Sequence, residues 1–192
     1  MTKRLIPVTL SAFVILLFSF FIHPQADTVS SRFKNEFLYR INKVRAEGCN
    51  CGTTYMPPAP PLTWNNYLEV AAEGHADDMN NRSYFSHYSK DGRNMEDRIV
   101  LAGYIFKGYR SFTVGENIAF GQESIAEVMD GWFKSPGHCR NLMNPEFKEV
   151  GVARSGTYWV QDFGGRESFT PAEQRMIKNG RMIIKRYKGS EE

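Results

Sequence analysis

The chain has 192 residues, 42% of them hydrophobic and 14% aromatic, with 24 basic against 21 acidic side chains. That is one domain's worth of sequence, long enough to bury a core without help from metals or disulfides. High aromatic content without low-complexity sequence excludes a disordered chain, and no internal repeat is present.

Met1-Thr2-Lys3-Arg4 followed by the apolar run Leu5 to Ile22 reads as the n-region and h-region of an export signal. Residues 1–26 are expected to be a signal peptide cleaved after Ala26. Pro24 fits a small-x-small site poorly and the run approaches bilayer-spanning length, so an anchor retained through residues 5–22 is the other reading. Either places the domain outside the cytoplasm, secreted or periplasmic. Removing residues 1–26 takes away Lys3 and Arg4 and no acid, leaving 22 basic against 21 acidic residues. A balance of +1 is too neutral to present phosphates with a basic face, so nucleic acid is excluded as a partner.

The elements then follow in order. Ser30 or Ser31 caps a helix to about Glu47, with Phe33, Phe37, Ile41 and Val44 on one face and Gly48 ending it. Cys49 to Pro61, rich in Gly, Thr and Pro, reads as a loop. Leu62 to Asn65 leads into a second helix whose stripe is Leu68, Ala71, Ala72, His75, Ala76 and Met79. His75 on that stripe is read as a core histidine bonded to backbone, or as a residue bordering a cleft.

Tyr84 to Gly92 is aromatic and turn-forming, and its His87 lies in irregular sequence, where binding residues concentrate. Met95 to Ala102 is a third helix with Ile99 and Leu101 inward. Ser111 to Val114 reads as a short strand feeding Glu116, which is placed in turn-like sequence. Ser124-x-x-Glu127 is a capping box, so Glu127 is a cap before it is a catalytic carboxylate. The helix it opens buries Ile125, Val128, Met129 and Trp132. Ser135-Pro136-Gly137 breaks that helix, and His138 begins a second short one.

Val150 to Arg154 and Thr157 to Phe163 are strand-like runs joined at Ser155-Gly156, the signature of a hairpin. Helices at both ends with an antiparallel hairpin between them imply an α+β layered domain. Thr170-Pro171-Ala172-Glu173 opens a last amphipathic helix, with Met176, Ile177, Ile183, Ile184 and Tyr187 on one side. Its opposite face is basic, so residues 170–188 either dock with a solvated face or touch an anionic membrane surface or lipid.

Tyr84-Phe85-Ser86-His87, Gly115-Glu116-Asn117-Ile118-Ala119 and the run Trp132 to Asn144 occur together and in order. With them the chain, over about residues 31 to 165, resembles the CAP superfamily of cysteine-rich secretory, antigen 5 and pathogenesis-related 1 proteins, in its bacterial SCP-like extracellular branch. The resemblance implies a three-layer α-β-α sandwich with a small antiparallel sheet. It divides the chain into the leader 1–26, a CAP/SCP-like domain 27–168 and a basic amphipathic C-terminal helix and tail 169–192.

It also implies a cleft of two histidines and two glutamates. His87, Glu116 and His138 match three of these, and Ser135 stands where the second glutamate would be. Two imidazoles and a carboxylate suit zinc or another divalent metal with an open position, and metal-bound water can act as a nucleophile. No nucleophile is set in a triad: Ser86 adjoins His87, and Cys139 beside His138 is expected in a disulfide.

Cys49 and Cys51 are too close in sequence to bond without strain, so one of them is expected to pair with Cys139. The resemblance selects Cys51 with Cys139, leaving Cys49 free, as an alternative partner, or as a route to a dimer. Three functions follow: a non-catalytic binding module for an extracellular or envelope ligand, a metal-assisted hydrolase of peptide or envelope material with Glu116 as ligand or base, and a lipid-binding protein with Tyr84, Phe85 and Phe120 lining a groove.

Overall fold

A computed structural model describes residues 31–183; the expected leader 1–26 and the end of the C-terminal helix lie outside the described residues. At the centre is a four-stranded sheet in the order β3-β5-β6-β4. Its strands are β3 (Thr63–Trp64), β4 (Tyr109–Phe120), β5 (Glu149–Ser155) and β6 (Tyr158–Ser168). All neighbours are antiparallel except β3, which runs parallel to β5. Helices α2 (Asn66–Arg82) and α3 (Met95–Leu101) cover one face; α1 (Ser31–Glu47), α4 (Ile125–Lys134) and α5 (Pro136–Met143) cover the other.

Side chains alternate across each strand, which explains how one sheet serves two cores. Val150, Val152, Trp159 and Phe163 meet Phe37, Ile41, Met129 and Trp132 on the α1/α4 side. Ile118, Ala153 and Val160 meet Ala72, Ala76 and Met79 on the α2 side. The α2 backbone crosses β5 at Gly151, where a Cβ would lie 2.0 Å from Glu69 N and 2.3 Å from Leu68 C. Any side chain there would push helix and sheet apart.

Several expectations are corrected. The segment after α1 is not all loop: β1 (Cys49–Cys51) and β2 (Thr54–Met56) form a hairpin turning at Gly52, φ 67°. Strands of three residues carry too little alternation to be read. Leu101 is 72% exposed, and Arg98 with Ile99 faces inward in its place. The β5–β6 turn is Gly156-Thr157, one residue later than expected, with Ser155 paired to Tyr158.

Glu116 is in no turn but in the middle of twelve-residue β4. Gly115 before it marks close packing, since its Cβ would meet the Phe147 ring at 2.5 Å. The C-terminal helix is the short α6 (Pro171–Lys178), with both halves of the Thr170/Glu173 capping box formed and no buried residue. It stops before Gly180, φ 67°, leaving Ile183 outside the helix and 80% exposed; Ile184 and Tyr187 lie outside the described residues. Among the described residues no helix is long and apolar enough to cross a membrane.

Candidate functional site

Glu116 and Asp162 are directly opposite on β4 and β6, so their side chains share the face turned toward α2. The next pair, Asn117 and Gln161, points the other way, toward α5. The site straddles strand β4, which lies at the edge of the sheet.

On the α2 side Glu116 is enclosed, its side chain 1% exposed. Oε1 lies 2.6 Å from His87 Nδ1 and Oε2 accepts from Arg98 Nη2 at 2.6 Å. Burial alone would push this carboxyl up, but the His87 hydrogen bond and the Arg98 charge outweigh it and hold it below the usual range. As an ionised acceptor Glu116 takes a proton-bearing Nδ1 from His87, which turns Nε2 outward on a ring that is half exposed.

Arg98 is the hub that sequence reasoning missed. Its Nη1 also donates to His87 O at 3.0 Å, Ser89 Oγ at 3.2 Å and Arg93 O at 3.2 Å, so one guanidinium fixes both Glu116 and the segment carrying His87. The signal was present: Met95, Arg98, Ile99 and Ala102 follow helical spacing, with Leu101 off that stripe. His75 is fully buried, and its Nε2 lies 2.9 Å from Ser86 O, tying α2 to the same segment. Burial holds the His75 ring below its usual pKa, a neutral core histidine under the cleft.

On the α5 side His138 is held through its backbone. Asn117 Nδ2 donates to His138 O at 3.3 Å and to Gln161 Oε1 at 3.1 Å. Asn141 Nδ2 donates to Asn117 Oδ1 at 2.9 Å and to Glu116 O at 3.2 Å. Trp132 Nε1 donates to Ile118 O at 3.3 Å, so side chains from α4 and α5 cover the otherwise open edge of β4. Burial, and then the neighbouring His87, lower the His138 pKa, leaving that ring neutral near pH 7. Ser135, the N-cap residue of α5, makes no side-chain cap bond. At the start of α4 half of the expected capping box forms: the Glu127 amide donates to Ser124 Oγ, while the Glu127 carboxylate accepts from Glu123 N at 2.9 Å and not from the Ser124 amide.

The second carboxyl near Glu116 is Asp162, fully buried with both oxygens unpartnered. Burial, and then the Glu116 charge, raise its pKa well above the usual range. The folded protein therefore keeps a proton that an unfolded Asp releases above its ordinary pKa of 3.8, and this group's contribution to stability falls as pH rises from there toward the folded value. Asp162→Asn is expected to keep or raise the melting temperature at pH 7 and to flatten its slope between pH ~4 and neutrality; a fall of several degrees at pH 7 would show that the carboxyl is needed there.

The expected three-ligand metal set meets a chemical limit. Both Glu116 oxygens are committed to His87 and Arg98, and among the described residues the donor atoms of His87, Glu116 and His138 do not form a converging trio. Glu116 therefore stands behind His87 as the partner that orients its ring. A cavity of about 270 Å³ beside Arg98, lined by Val70, Gly74, Asp78 and Leu101, includes neither His87 nor His138 and is not their cleft.

Residues 38–163 match the family described as "Cysteine-rich secretory protein family". Two curated relatives are both from Bacillus subtilis (strain 168). An uncharacterized protein, YkwD, is 36% identical over 108 residues, 55% of this chain and 40% of that one. An uncharacterized membrane protein, YlbC, is 33% identical over 103 residues, 53% of this chain and 28% of that one. The chain thus spans less than half the length of these relatives. Among solved structures, an extracellular protein containing a SCP domain from Bacillus anthracis aligns with TM-score 0.53 and 26% identity over 68% of this chain and 41% of that one. An outer surface protein from Borrelia burgdorferi shares the fold, with TM-score 0.56 and 21% identity over 72% of this chain and 97% of that one.

Proposed function

Because the chain belongs to the cysteine-rich secretory protein (CAP) family, we propose that it is an exported binding module whose ligand is met by the imidazoles of His87 and His138, with Glu116 as a fixed anchor. The observation that carries this reading is the saturation of Glu116, buried with one oxygen on His87 and the other on Arg98. A general base has to reach the proton it removes, so the hydrolase alternative would require Glu116 to leave one of these partners. The neutral His138 ring and the outward Nε2 of His87 are free to accept a proton donor or to ligate a divalent cation.

One observation favours the lipid reading as a second choice. The Phe120 ring packs, tilted, 6.3 Å from Phe85 and 4.6 Å from Tyr158, and Phe85 and Phe120 are each about half exposed, forming an apolar shelf on the His87 side. Export rests on the leader-like residues 1–26, and residues 27–168 serve as the binding domain with 169–192 as an appendage open to an anionic surface.

Calorimetric titration of zinc into oxidised residues 27–192 tests the proposal, beside His87→Ala and His138→Ala. One weak saturable site, lost in both variants, is expected. Binding that persists in either variant would place the cation elsewhere. Lipid uptake indifferent to chelator would favour the shelf.

A further inference from the structure

The β1–β2 hairpin gathers all three cysteines. Cys49 and Cys51 are two apart on β1, so both leave the same face of the strand. That face packs on α5 around Cys139 and Met143. Cys51 is bonded to Cys139, with Cα atoms 5.4 Å apart. Cys49 is a free, partly exposed thiol whose Sγ lies 3.7 Å from Cys139 Sγ, and all three sulfurs fall within 4.8 Å of one another. Two sulfurs at that separation are in van der Waals contact, so nothing stands between the thiol and the closed bond.

The seat of the hairpin has supports other than that bond. The Gly52 turn lies against the Pro136 ring, where a Cβ would come within 2.9 Å, and Val44, Met56 and Phe133 pack around the sulfurs. Loss of the Cys51 sulfur would therefore leave Cys49 beside Cys139.

We propose that Cys49, Cys51 and Cys139 form a thiol–disulfide exchange site, in which the bond to Cys139 passes between Cys51 and Cys49 with no outside oxidant or reductant. The Cys49 thiolate attacks Cys139 Sγ. The Cys49–Cys139 bond forms as the Cys51–Cys139 bond breaks, the bonding pair leaves on Cys51 Sγ, and Cys51 takes up the proton that Cys49 gave to solvent. One disulfide and one thiol are present before and after.

Displacement at sulfur runs in line, and adding an ordinary S–S bond to the 3.7 Å contact puts attacking and leaving sulfurs about 5.7 Å apart. They now lie within 4.8 Å, so Cys49 turns about its Cα–Cβ bond to react. Burial also pushes the Cys49 thiol up, keeping thiolate scarce and the exchange slow. Because Cys139 directly follows His138 on α5, the transfer changes which residue of the hairpin tethers the helix that carries a cleft imidazole.

The test uses the oxidised full chain, with alkylation, intact mass and peptide mapping. Cys51→Ser is expected to close a Cys49–Cys139 bond, two hydrogens lighter than its reduced form and with no thiol left to label. In the unsubstituted protein, label is expected on Cys49 when added at once, and on both Cys49 and Cys51 after incubation in mildly alkaline buffer. Folded Cys51→Ser with two free thiols would overturn the proposal. So would label confined to Cys49 at every time, and that result decides alone should Cys51→Ser fail to fold.

Discussion

Arg98→Ala is expected to lower the melting temperature by about 10 °C. The Arg98–Glu116 pair is separated by 2.6 Å with side chains 5% and 1% exposed. Removing one member of a buried pair strands the other charge and costs about 3–5 kcal/mol, and in a domain of this size each kcal/mol shifts melting by about 2–4 °C. The loss also frees the carbonyls of His87 and Arg93 and the Ser89 hydroxyl, so the His87 segment should loosen with the core. Arg98→Lys keeps the charge but not the fork that reaches both Glu116 and His87 O, and should fall between the two. A change below ~1 kcal/mol in Arg98→Ala, the range of an exposed pair, would contradict the pair's structural role.

The second large effect is at Arg45, a fully buried arginine on α1 bonded to four carbonyl oxygens. Nε donates to Pro60 O at 2.8 Å, Nη1 to Leu142 O at 2.6 Å and Asn144 O at 3.1 Å, and Nη2 to Phe147 O at 3.2 Å. Burial lowers its pKa to about 10, so the guanidinium stays charged at neutral pH. Each carbonyl left unpaired inside the protein costs about 1–3 kcal/mol. Arg45→Met keeps most of the volume and removes every donor; denaturant unfolding should show it destabilised by more than ~4 kcal/mol, beyond the ordinary range for one substitution. Stability near that of the unsubstituted protein would mean that Arg45 acts by filling space. Because two of those carbonyls lie at the end of α5, Arg45 also helps to seat the helix that carries His138.

Those two arginines mark where sequence reading stops. Caps and stripes were legible because they are local: Ser124 and Thr170 accept from the first turns of α4 and α6. The family motifs carried His87, Glu116 and His138. Arg45 and Arg98 look like ordinary helical arginines until carbonyls and carboxylates up to 102 residues away are brought to them. Asp162 lies in a strand-like run, and nothing local says that it will face Glu116; only the β4–β6 register does. The amides of Asn117, Asn141 and Gln161 are likewise joined by pairing across the fold. Gly115 misled because a glycine tight against Phe147 and a glycine in a turn look alike in sequence.

In the proposed binding module Glu116 holds His87 while the imidazoles meet the ligand. Nitrogen NMR of the His87 and His138 rings during zinc addition tests it most directly. The shifting nitrogen of His87 is expected to be Nε2, together with one nitrogen of His138, while His87 Nδ1 remains a proton-bearing donor to Glu116. Movement at His87 Nδ1, or rings that stay silent while zinc binds elsewhere, would contradict it.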